Sequence, residues 1–291
     1  MTAISFSSKP MWRAASGCAV ALLLGGASPL YAHHLEKQFI VQSHPLITVH
    51  NPSGTVTISS WDKPEVMVVA DHGSEKIEVD AEQNGNRVDV VTHLLSENIG
   101  PEELRANYVI TVPEDSELQI HNDSGAVGVS RILGDMNVET VAAGVDAEDI
   151  GGYLVVQTVG GAFACMRCTG RIEVHSISGD VRLVDDHSSS IFAQTSTGNI
   201  VLDGDFLPNG IYRLKNYSGA INVQFSPADS FDVSATSLYG KVDNQAKLIP
   251  PNHPNQRPPR YSRSLFGSFN QGRAKLELSS FNGTINIHKR D

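Results

Sequence analysis

Residues 173–202 read EVHSISGDVRLVDDHSSSIFAQTSTGNIVL, and inside them VHSISGDVRL (174–183) is followed by AQTSTGNIVL (193–202). The two segments share one frame. Relative to Gly179, apolar residues lie seven and five positions before (Ile172, Val174) and two and four after (Val181, Leu183). Relative to Gly198 the same places hold Ile191, Ala193, Ile200 and Leu202.

The frame recurs along the chain. It is centred on Gly54, Gly125, Gly161, Gly219 and Gly283, with Ala143 in the glycine place once, and it frays after Gly240, where Asn244 takes an apolar position. From 125 to 179 the step is 18 residues, then 19, 21 and 21. A fixed step carried by period-two apolar alternation predicts stacked β-strand coils, each burying its apolar side against the next. Glycine suits a tight repeated turn, and Ser or Thr just before it favours the same turn. A second small column (Gly134, Gly152, Gly170, Ser188) marks another corner of each coil. The fold class expected is therefore all-β: a flattened parallel β-solenoid of about eight coils, roughly 40 Å long. An antiparallel sandwich is the competing architecture, since turn signals every 8–12 residues also fit it. Against the sandwich, equivalent positions match at every second turn.

Three segments lie outside the repeat. Residues 1–32 read as an export signal: Lys9 and Arg13 precede the apolar run 14–26, and SPLYA ends at Ala32. An uncleaved anchor and lipidation at Cys18 are the alternatives. Residues 59–117 alternate without the step, and 33–117, which holds the outlying copy at Gly54, reads as a strand-rich N-terminal cap with one helical turn expected within 96–107. The repeat domain occupies 118–291. Residues 249–264 (IPPNHPNQRPPRYSRS) are proline-rich and basic, hence a loop projecting from the repeats. Its Arg257, Arg260, Tyr261 and Arg263 are the candidate partner-binding residues.

The chain of 291 residues carries a formal charge of −10. Without residues 1–32 it has 20 basic against 32 acidic residues, a net −12. An acidic chain is a poor partner for nucleic acid or anionic lipid. After residue 32, no stretch is long and apolar enough to span a bilayer.

Candidate chemistry is sparse. Arg131, Asp149, Arg167 and Asp185 share one corner and alternate in sign, as a surface charge ladder does. The outward column His50, His121, Glu139, Gln157, His175, Gln194 and Lys215 reads as a solvated stripe, because His121 and His175 are three coils, about 14 Å, apart. Asp185-Asp186-His187 and Asp203/Asp205 add acidity without the spaced ligands of a calcium loop. His33-His34 is a minor copper candidate at a processed N-terminus. Cys165 and Cys168 both fall in apolar columns flanking a corner, and in an oxidising compartment they suit a structural disulfide. No catalytic constellation and no cofactor motif is present.

NPSGTVTISSWDKPEV (51–66), YVITVP (108–113) leading into LQIHNDSGAVGV (118–129), FDVSATSLYGKV (231–242) and the close LELSSFNGTINIHKR (276–290) occur in a distinctive order. Together they resemble the bacterial "putative adhesin" family of β-strand-repeat proteins, over residues 37–290. The resemblance implies an exported or envelope-associated protein with a repetitive β fold and no catalytic residues to carry over. Ala143, the Cys pair and the proline-rich insertion depart from the family pattern. The expected function is a non-catalytic binding or structural module of the cell envelope, contacting a protein or glycan or self-associating. The alternatives are a solenoid carbohydrate-active enzyme and an accessory subunit of an envelope-stress sensor.

Overall fold

The alternation of each repeat becomes strand segments with one buried face in the computed structural model, which describes residues 33–250 and 261–290. Ile172, Val174, Val181 and Leu183 have almost no exposed surface, while Arg182 between the last two is exposed. The described residues are all-β, with 22 strands and no helix. The segment 96–107 forms a single turn, in which the Glu103 and Leu104 amides donate to the Gly100 carbonyl at 2.9 and 3.2 Å. The leader, Cys18, Arg257, Arg260 and the side chain of Tyr261 lie outside the described residues.

Equivalent frame positions pair directly in parallel ladders. Before the glycine, Leu118, Met136, Leu154, Ile172, Ile191 and Tyr212 stand partner to partner in that order. After it, Val127, Val145, Phe163, Val181, Ile200 and Ile221 do the same. Register is fixed because a one-residue slip would turn every apolar side chain outward. The competing antiparallel sandwich is thereby replaced by parallel stacking.

The glycines are demanded by how closely successive turns approach. A Cβ on Gly161 would lie 1.8 Å from the Ala143 carbonyl oxygen, and one on Gly179 would lie 1.9 Å from that of Gly161. Three residues earlier, Thr158, Ser176, Thr195, Ser237 and Ser280 accept the N–H of their own turn's glycine at 2.8–3.1 Å. These hydroxyls satisfy donors that the turn would otherwise bury unpaired.

The strand Leu46–Trp61 pairs with Glu117–Ile132 straight through its glycine, Gly54 opposite Gly125. The boundary drawn at residue 117 thus falls between two strands of one ladder. Beyond it lie Arg87–Leu94 and Ala106–Pro113, covered by the antiparallel strands Ile77–Asn84 and Glu65–His72, with His33–Ile40 outermost on the latter.

At the other end chain order and spatial order part. The Gly283 repeat inserts between those of Gly219 and Gly240: Leu276 pairs with both Tyr212 and Val233, and Ile285 with both Ile221 and Val242. The fraying at Asn244 belongs to this last rung. Its buried side chain accepts the Ala246 N–H and donates to the Ala246 carbonyl, both at 3.0 Å. Antiparallel Ser264–Phe269 and Tyr261–Ser262 cover the end. Here the core becomes aromatic: Phe206, Tyr212, Phe225, Phe231 and Phe269 interlock with centroids 4.8–5.6 Å apart.

Candidate functional site

The residue two places before each glycine sits at the tip of a turn, between the inward-facing Ser/Thr and the glycine itself. It therefore has nowhere to pack but outward. In most turns such a place would be polar. After Pro52 and Asp123 in the first two turns, it holds Val141, Val159, Ile177, Ser196, Tyr217, Phe281 and Leu238 in spatial order, and the apolar members from Val141 onward are all exposed. Backbone bonds between successive turns hold them in line: Ser178 N–H to the Val159 carbonyl at 2.9 Å, Ser218 to Ser196 at 2.8 Å, Asn282 to Tyr217 at 3.0 Å, Tyr239 to Phe281 at 2.8 Å. The aliphatic start gives way to rings. Tyr217 stacks on Phe281 at 4.5 Å and 9° between planes, and Tyr239 meets Phe281 at 5.0 Å.

This ridge is one wall of a groove. The other wall is the outward column His121, Glu139, Gln157, His175, Gln194 and Lys215, and the floor is the inward Ser/Thr/Asn set. Two hollows, of about 480 and 500 Å³, share Gln194 and Ser196, so the groove runs along the stack. Its N-terminal half carries Glu139 and two histidines. His121 Nε2 lies 3.0 Å from Asp123, and His175 Nε2 lies 3.0 Å from Glu173. Its C-terminal half is lined by hydroxyls, amides and aromatic rings, with Lys215 as its cation and no carboxylate. On the floor Asn216 is 7% exposed, and neither its Nδ2 nor its Oδ1 has a hydrogen-bond partner. A buried amide left so costs about 1–3 kcal/mol.

The structure scatters the other candidates. Cys165 and Cys168 are both buried and joined to each other, with Cα atoms 6.1 Å apart. Arg263 is exposed; its carbonyl accepts the Ser237 N–H at 2.8 Å, which sets the re-entry of the proline-rich loop beside Leu238. The alternating corner residues Arg131, Asp149, Arg167 and Asp185 all adopt left-handed φ of 52–58°. Arg167 binds Asp149 at 2.7 and 3.0 Å and also Glu148, and it holds the Asp149 carboxyl below its ordinary range. Asp186 departs from its neighbours. It is buried, accepts the Ser188 N–H at 2.8 Å and hydroxyl at 3.2 Å, and burial pushes it up to about 6. Asp203 and Asp205 instead face Arg290 at 2.7 and 3.4 Å. Among the described residues no cluster of His, Cys, Asp or Glu has the geometry to hold a metal ion.

A hollow of about 520 Å³ lies on the strands that follow the glycine, floored in part by Gly128 and Ala164. Its ionic groups are Asp146, Glu148 and Arg182, of which Glu148 is drawn to Arg167 at the corner. No helix among the described residues is long and apolar enough to cross a membrane.

The apolar tips were missed in the sequence, although their signal was present: a hydrophobic residue at one constant place of a frame whose other apolar places were already filled.

Comparison with known proteins follows the fold. No curated protein matches the chain. Several crystal structures align over 89% of it. A "putative adhesin" from Bacteroides fragilis is 10% identical over 97% of its own chain, with a TM-score of 0.41. A "putative lipid binding protein" from Parabacteroides distasonis is 11% identical over 97%, with a TM-score of 0.37. A "putative cell adhesion protein" from Clostridium sporogenes is 12% identical over 100%, with a TM-score of 0.25. The profile of the Toastrack DUF4097 family matches residues 45–288, from the first parallel strand to the last. The chain belongs to the Toastrack DUF4097 family, whose function is unknown.

Proposed function

We propose that this chain is an exported β-solenoid of the bacterial cell envelope that acts as a non-catalytic binding module. Residues 1–32 are its export signal, 33–117 its N-terminal cap, and 118–291 its repeat domain. The observation that carries this reading is the turn-tip groove: exposed apolar side chains held in line by backbone hydrogen bonds, facing a polar wall. Contiguous exposed apolar surface rimmed by polar groups marks interaction sites. A ladder that fixes each side chain in place has little ordering entropy left to lose on binding.

The Cys165–Cys168 disulfide supports export, since such bonds persist in oxidising compartments. The adhesin names borne by the similar structures agree with a binding role. The proline-rich loop is a second contact element. Arg257, Arg260, Tyr261 and Arg263 are its binding residues. The partner is an envelope protein or glycan.

The test is a pull-down from the organism's envelope fraction with residues 33–291 and a twin lacking 249–264. Specific retention of an envelope component by the full form supports the reading, and loss of it in the twin assigns the contact to the loop. Retention of nothing by either form overturns the binding role in favour of a purely structural one.

A further inference from the structure

The ridge is interrupted once, and the interruption has the dimensions of a site. Ile177, Ser196 and Tyr217 occupy successive rungs, since Ser176 pairs with Thr195 and Thr195 with Asn216. Ser196 is exposed and small, so between the Ile177 side chain and the Tyr217 ring one rung of the wall is open above its hydroxyl. Phe281 occupies one face of Tyr217 by parallel stacking. The other face of the ring therefore looks into the gap, consistent with its 55% exposure.

Adjacent parallel strands are spaced by about 4.8 Å, which puts the two walls about 9.6 Å apart. A group sandwiched at carbon–carbon contact distance needs about 7–8 Å if it is as thin as an aromatic ring. The gap is wider than that and suits the thicker chair of a pyranose. Its two sides are apolar, Ile177 and the face of Tyr217. Its base and rim are polar, formed by Ser196, Gln194 and the side chain of Lys215, whose ammonium lies 5.5 Å from the Phe192 ring centroid. A sugar ring has the same division, with apolar C–H faces and hydrogen-bonding hydroxyls around its edge. An aromatic side chain would leave the polar base unmatched and the walls loosely filled. Next to the slot lies the Asn216 amide, buried and unpartnered in the floor. Its Nδ2 and Oδ1 have almost no accessible surface, so it lies beneath the slot and is not one of its contacts.

We infer that the slot between Ile177 and Tyr217 is a carbohydrate-binding subsite. It takes one terminal or branch pyranose ring of a glycan, with Tyr217 as the stacking platform and Gln194, Ser196 and Lys215 as its polar contacts. This inference rests on the binding-module reading and names the ligand class of its groove.

The experiment is a mixed array of bacterial and host glycans and of aromatic-rich peptides, probed with residues 33–291 and three variants. Ser196→Tyr fills the slot with a side chain that the next rung already carries, so the fold is preserved, as an unchanged thermal midpoint will verify. Tyr217→Ala removes the platform, and Leu133→Ala alters an exposed residue of the opposite corner as a control. Retention on glycans that falls at least tenfold in Ser196→Tyr and Tyr217→Ala but not in Leu133→Ala is the expected result. Retention on no glycan, or equal retention by Ser196→Tyr, overturns the subsite. Slot-dependent retention on peptides alone overturns the sugar assignment. The same variants in the envelope pull-down separate the two readings. Capture by Ser196→Tyr as strong as by the unaltered chain sinks the subsite and keeps the binding module; capture by neither sinks both.

Discussion

The rungs centred on Gly125 to Gly198 and those centred on Gly219 to Gly283 are built from one frame and differ in almost everything else. In the first group the step is 18 or 19 residues, spatial order follows chain order, the core is largely aliphatic, and the tips run Asp123, Val141, Val159, Ile177 and Ser196. In the second the step is longer, the Gly283 rung inserts between two earlier ones, the core is aromatic, and the tips are Tyr217 and Phe281 beside Leu238. The physical difference is propagation against termination. A rung in the middle needs only the rung before it as a template. A rung at the end must also close the open edge, and this chain does so with antiparallel strands and interlocked rings. The aromatic residues that terminate the core bring with them the aromatic tips that make the surface distinctive.

The sharpest way to break this comparison is to remove the inserted rung. Deleting residues 274–290 takes away Ala274–Ser280 and Thr284–Lys289, each of which pairs on both sides. The expected outcome is loss of the cooperative unfolding transition by circular dichroism. A folded, monomeric product would show that the Gly240 rung can stack directly on the Gly219 rung.

A smaller lesion asks whether the end is an independent unit. Phe231 is fully buried at the centre of the aromatic cluster, and Phe231→Ala is expected to cost about 3–5 kcal/mol in urea unfolding. Hydrogen exchange should lose protection in Phe231–Ser237 and Ala274–Ser280 while Thr169–Ser176 keeps it. Uniform loss would mean that the two regions unfold as one.

The smallest expected effect lies at the seam, where Tyr212 donates to the Ser188 carbonyl at 3.0 Å next to Asp186. Burial raises the folded-state value of Asp186 to about 6, above that of the unfolded chain. The folded state thus holds this proton more tightly, and its stabilising effect is full below about pH 4 and lost as pH rises through 6. Asp186→Asn cannot ionise and keeps an acceptor for the Ser188 N–H. It should stabilise the protein by about 1–3 kcal/mol at pH 7.5 and by almost nothing at pH 4. A constant difference across that range would show that Asp186 does not titrate as its burial dictates.

Some of this was legible beforehand for a definite reason. Period-two alternation at a fixed step dictates parallel in-register stacking, so the pairing of Leu154 with Ile172 could be written down from their places about Gly161 and Gly179. The Ser or Thr just before the glycine was read as the turn former, but the hydroxyl that closes the turn stands three residues before it, as at Thr158, Ser176 and Thr195. The reason for the glycines was read only in part: contact with the carbonyl of the previous turn, more than φ, forbids a Cβ at Gly161 and Gly179. The candidate site was the least legible element. Ile177 and Tyr217 look like stray apolar residues in turn segments, and nothing local says that they stand two rungs apart in one wall.

The sequence alone determined the class of the fold, the buried face of each strand and the places of the turns, because these follow from periodicity and from the chemistry of single residues. Only the tertiary structure decided that the rung nearest the C-terminus lies inside the stack, that Asp186 is buried while Asp203 and Asp205 reach Arg290, and that one small residue opens a slot in an apolar ridge. Each of these depends on contacts between residues far apart in the chain, where packing and the need to close an open edge outweigh any local preference.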